Sequence, residues 1–164
     1  MNVYPWLMFV HIGGLLAFIL GHGASAMVSF RLRAEREPAR IRALLDLSSS
    51  SIGLAYAGLL LLLVSGIAAG FNGGHWDRLW IWVSLALLIL IIGAMYGLGS
   101  AYYAKVRRAV GQKAYSDPTD APDPTPASAE ELATLLDSSR AILLAVIGGG
   151  GLLVILWLML MEPF

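Results

Sequence analysis

Three histidines stand in the chain, at positions 11, 22 and 75, and two of them fall inside its first apolar stretch. His11 and His22 are the only ionisable side chains other than tyrosines within the four long apolar runs. An ionisable group at membrane depth is expensive to keep, so it marks a functional site by default. The two rings are eleven residues apart. At 100° per residue this is about three turns, so both are expected on one helix face, about 16 Å apart along the axis. That face also carries Gly14, Phe18, Ser25 and Ser29, the small and polar types that pack inside a bundle.

Neutral imidazole is a common ligand of haem iron. Gly13 and Gly14 follow His11 closely, and Gly21 and Gly23 flank His22, so a flat macrocycle could approach the backbone at either place. The expected cofactor is therefore haem b, with His11 and His22 as iron ligands and Gly14 and Phe18 beside them. One iron takes two axial ligands about 4 Å apart. His11 and His22 are too distant to share one. His75 paired with His11, or two copies of the first helix facing across a two-fold axis, would complete a bis-His site. Ligation by one histidine, or by a histidine with a methionine, is also open, with Met8, Met159 and Met161 at the same end as His11. Two other readings stand beside haem. In one, the rings simply hydrogen-bond a carbonyl, serine or tyrosine of the next helix; in the other, Met8 and His11 hold copper with Met159 or Met161. Zinc is a poor match, because three histidines without cysteine rarely complete its site. His75 also reads as an ordinary residue of an interfacial turn.

The elements that position these rings follow from composition. Of 164 residues, 58% are apolar and 13% charged, against roughly 45–50% and about 25% in soluble domains. The excess excludes disorder and a nucleic-acid-binding domain. Lys and Arg number 11, as do Asp and Glu, so net charge points to no acidic or basic partner. Cysteine is absent, which excludes disulfides, iron–sulfur clusters and thiolate sites. A span needs about 20 mostly apolar residues. Four segments qualify: 4–30, 50–71, 79–104 and 140–161. The expected fold is all-α, one integral membrane domain over 1–164, a bundle of four transmembrane helices. Arg31, Arg33, Arg36, Arg40 and Arg42 follow the first span, and Lys105, Arg107, Arg108 and Lys113 follow the third. These basic loops should be cytoplasmic and both termini outside, in a bacterial cytoplasmic membrane. Tyr4, Trp6, Trp76, Trp80, Trp82 and Trp157 should form the outer aromatic belt, and Tyr102 and Tyr103 the inner one. Ala24-Ser25-Ala26 is not read as a processing site, because the positive charges follow the apolar run instead of preceding it.

The connections carry their own signals. Pro38 opens a short surface helix with apolar Ile41, Leu44 and Leu45. Residues 116–128, with four prolines and three aspartates, should be an extended, flexible linker. Ser128 and Glu131 are spaced as a capping box, from which a helix should run unbroken into the fourth span. Gly148-Gly149-Gly150-Gly151 there calls for a close neighbour, since each glycine weakens a helix by up to roughly 1 kcal/mol relative to alanine. No carboxylate lies inside a span, and neither a nucleophile motif nor a phosphate-binding loop is present, which argues against hydrolysis and ion-coupled transport.

Phe9-Val10-His11-Ile12-Gly13-Gly14, with Gly21-His22-Gly23-Ala24-Ser25 and Phe30-Arg31-Leu32-Arg33, resembles an uncharacterised bacterial family of four-helix integral membrane proteins over most of the chain. The first of these segments is distantly similar to copper-resistance D-type proteins and HemJ-type protoporphyrinogen oxidases. The HemJ-type likeness implies a haem-binding role for His11. It does not extend to the apolar-Trp-small-Gly run, replaced here by Leu15-Leu16-Ala17-Phe18. The resulting expectation is a haem-b-type redox or electron-transfer protein of the lipid bilayer, working as a homodimer or beside other membrane subunits, with no nucleic-acid partner. The alternative is a non-catalytic accessory subunit of a larger membrane complex.

Overall fold

The computed structural model describes residues 2–164. The chain is all-α, and no strand occurs among the described residues. Four helices are long and apolar enough to cross a membrane: α1 Tyr4–Ala34, α2 Pro38–Gly73, α3 Leu79–Ala109 and α4 Ala129–Met161. Their length follows from the solvent they suit, where each segment must satisfy its own backbone groups. The molecule is a multi-pass membrane protein. Pro38 fills the first turn of α2, where its missing N–H costs nothing. Gly74, with φ of 68°, ends α2 in the left-handed conformation that glycine adopts freely.

α1 and α2 form an antiparallel hairpin around small residues. A Cβ on Gly14 would lie 2.6 Å from the Leu62 backbone nitrogen, and one on Gly21 would lie 2.5 Å from that of Ala55. A Cβ on Gly58 would overlap the backbone of Ala17 and Phe18. The two backbones are therefore in direct contact, as small-residue seams allow in lipid. Below the glycines the seam continues through a buried hydrogen bond of 2.7 Å between the Ser25 and Ser48 hydroxyls.

At the arginine-rich end the helices extend beyond the lengths expected for the spans. α2 is continuous from Pro38, with no separate surface helix. Ile41 and Leu45 lie fully buried in a cluster with Leu32, Tyr102, Val106 and Leu136, which draws on all four helices. Arg107 is buried beside it, donating to Asp46 at 3.1 Å and Ser49 at 2.8 Å. Residues 116–128 are tied at both ends. Asp117 accepts from Arg108 and from the Ala114 N–H, and Ala127 donates to the Ala109 carbonyl. The capping box forms in both directions, at 3.2 and 3.1 Å. The helix after it does not run unbroken. It is interrupted at residues 137–139, Asp137-Ser138-Ser139, residue types of low helix propensity. Asp137 there accepts from Arg36 at 2.7 Å.

Candidate functional site

His11 projects from α1 onto α2. Its Nδ1 donates to the Leu62 carbonyl at 2.8 Å. A carbonyl only accepts, so in the neutral ring the proton sits on Nδ1 and the lone pair on Nε2. Gly66 makes this contact feasible, because a Cβ there would lie 2.8 Å from His11 Cε1 and 2.9 Å from Nδ1. The ring is half-buried.

His22 has a different setting. It stacks on Phe18, with centroids 5.3 Å apart and planes 9° from parallel. Its Nε2 lies 3.1 Å from where a Cβ of Gly148 would sit, so it faces the backbone of α4. From the same point the Met95 Sδ and Cε of α3 are both 3.5 Å away. Met95 directly precedes a π-helical segment, Tyr96–Ser100, and Gly148 is the middle residue of a second, Val146–Gly150. Such one-turn irregularities occur often at functional sites.

The two rings therefore meet different helices, although an ideal helix places them on one face. α1 buries Gly14, Gly21, Ser25, Val28 and Leu32 along its seam, a spacing of three and four that repeats every seven residues. A straight helix drifts about 20° per heptad from that line. His11 lies on the line, while His22 lies one residue past Gly21 and is turned toward α4.

Gly14, expected beside a macrocycle, instead admits the backbone of α2. Phe18 gives its face to His22. His75 lies near Tyr4, its Nε2 3.5 Å from the tyrosine hydroxyl, with its ring 6.2 Å from that of Trp80. Tyr4 is two turns from His11, about 10 Å along α1. Met159 packs beside the cluster of Trp80, Ile81 and Leu158, and Met161 is exposed. Met8 lies one turn before His11 and is half-buried. Of the four glycines in α4, Gly148 meets His22 and Met95, Gly151 meets Ile91, and the other two face open space. No three His, Cys, Asp or Glu side chains converge among the described residues. A cavity of about 380 Å³ lies at the arginine end, lined in part by Arg36, Arg42 and Leu132, away from both rings.

Met95 was not legible as a site residue. It is one apolar residue in an apolar run, and only the packing of three helices brings it to His22. The indirect signal was the glycine quartet, which demanded a neighbour without naming it. No family model, curated protein or solved structure matches the chain.

Proposed function

We propose that this chain is a haem-b-type redox or electron-transfer protein of the bacterial cytoplasmic membrane, its basic end in the cytoplasm, with His11 supplying an iron ligand. The observation that carries this reading is the 2.8 Å bond from His11 Nδ1 to the Leu62 carbonyl. Metal-bound histidines almost always donate their other ring nitrogen in this way, which fixes the tautomer and makes Nε2 the donor atom. The donor chemistry fits haem. Gly66 sets bare backbone against the Cε1–Nδ1 edge of the ring. When bound, haem would supply one-electron chemistry. His22 has the α4 backbone against its Nε2, which leaves no room for a macrocycle there, so the assignment falls on His11. A half-buried ring needs cover from elsewhere, and the second ligand from a second copy of α1 accounts for both. The reading therefore includes a homodimer, or a partner subunit in its place.

The competing reading is an accessory membrane subunit without a cofactor. It is favoured by the fact that each ring is already engaged within the chain, one on a carbonyl and one on Phe18. Purification of the full chain in detergent from haem-replete cells separates the two. The haem reading expects a Soret band that shifts on dithionite reduction and is lost in His11→Ala. A colourless preparation, or a band indifferent to His11→Ala, overturns it.

A further inference from the structure

The junction of α1, α3 and α4 carries two metal-binding donor types that the haem reading does not use. His22 Nε2 and Met95 Sδ stand 3.1 and 3.5 Å from one point, the missing Cβ of Gly148. They come from two helices, and the third contributes bare backbone, against which both tips close. No hydrogen bond of the His22 ring is formed among the described residues, in contrast to His11, and Phe18 holds its plane. One π-helical segment begins at Met95's neighbour and another is centred on Gly148.

We propose that His22 and Met95 form a binding site for a soft monovalent metal ion, copper(I), over Gly148. The donor set selects it. Imidazole suits several transition metals, but a thioether is a soft ligand that favours copper(I) and leaves magnesium, calcium and manganese unserved. Charge points the same way. Both donors are neutral and no carboxylate lies inside a span. The cost of moving an ion into low dielectric grows with the square of its charge, so a monovalent ion is far cheaper to hold here than a divalent one. Copper(I) also accepts two or three ligands, which a junction with two side-chain donors can offer. Gly148 is the enabling residue, because a Cβ at that position would press on both donor tips.

The test uses the full chain in detergent under oxygen-free, reducing conditions, titrated with copper(I) against a chromogenic copper(I) chelator. One ion per chain is expected, with nitrogen and sulfur both bonded to copper by X-ray absorption. Met95→Leu preserves volume and His22→Phe preserves a ring, and each should weaken retention at least about tenfold, the lower end of what even an outer partner of a metal ligand costs. His11→Phe should leave it unchanged. No retained copper, copper bonded without sulfur, or retention unchanged in either variant overturns the proposal. The wild-type absorption spectrum decides without the variants should one of them fail to fold. Copper retained without a Soret band sinks only the haem reading, and a Soret band without copper sinks only this one.

Discussion

The α1–α2 seam and the α1–α3–α4 junction both rest on glycine, yet they use it differently. In the seam, the absent side chains of Gly14, Gly21 and Gly58 are replaced by backbone of the opposite helix. At the junction, the space beside Gly148 is met by the tips of two side chains. Backbone cannot retreat without moving a whole helix, whereas an imidazole tip and a thioether can swing aside. The seam is therefore a structural contact, and the junction is a place where something small could enter. One imidazole serves each region, tied down in the first and free of hydrogen bonds in the second.

The largest effect expected from breaking this contrast is in the seam. Gly21→Ala places a Cβ 2.5 Å from a backbone nitrogen, and should destabilise the hairpin by about 3 kcal/mol or more. Gly149→Ala, which meets open space, should be neutral or stabilising by up to about 1 kcal/mol. Denaturant titration of the protein in mixed micelles, read by circular dichroism, compares them directly. Equal costs would erase the distinction between buried and open glycines. Next in size, Gly148→Ala should cost about 1 kcal/mol, the low end of overpacking, while reducing copper(I) retention strongly. A cost as large as that of Gly21→Ala would place the junction in the same class as the seam.

The histidines give a finer test of the same comparison. His11→Phe removes a hydrogen bond and presses on Gly66, and should cost about 1 kcal/mol. His22→Phe keeps the stack on Phe18 with no hydrogen bond to lose, and should stay within about 0.5 kcal/mol. The same micelle titration ranks them, and the reverse order would contradict the assigned contacts. The smallest effect lies outside both regions. The Arg108 guanidinium and the Ala114 N–H hold the Asp117 carboxyl below its ordinary range. A depressed carboxylate adds stability that is complete above the unfolded value of about 3.9 and fades as pH falls through the folded one. Protease nicking of residues 116–128 should accordingly rise below about pH 4 and not between pH 5 and 8. In Asp117→Asn that acid limb should be absent.

The spans were legible because lipid leaves the backbone one solution, so twenty apolar residues suffice to announce a helix. The ends were less so. Ile41 and Leu45 read as apolar residues of a surface helix, because nothing local shows that Val106, Leu132 and Leu136 arrive to bury them. Asp137, Ser138 and Ser139 held the signal for the break in α4, and the strength of the capping box before them masked it. His11 and His22 were identifiable from rarity alone. Their separate surroundings were not, because a difference of some 30° over eleven residues distinguishes the straight helix from one that coils along a partner. Met95 required the tertiary fold outright.

The early start of α2 has a consequence for how the molecule sits in lipid. Between Pro38 and the expected entry of the second span near residue 50, the helix adds about 18 Å, and that length is welded to α3 and α4 by the Leu45–Val106–Leu136 cluster. At the opposite end α2 passes to α3 through the short turn around Gly74 to Arg78. Depth is therefore set from one leaflet. When bilayer thickness changes by a few ångströms, the adjustment falls on the tryptophan end, and His22 keeps a constant distance from the leaflet where the arginines lie.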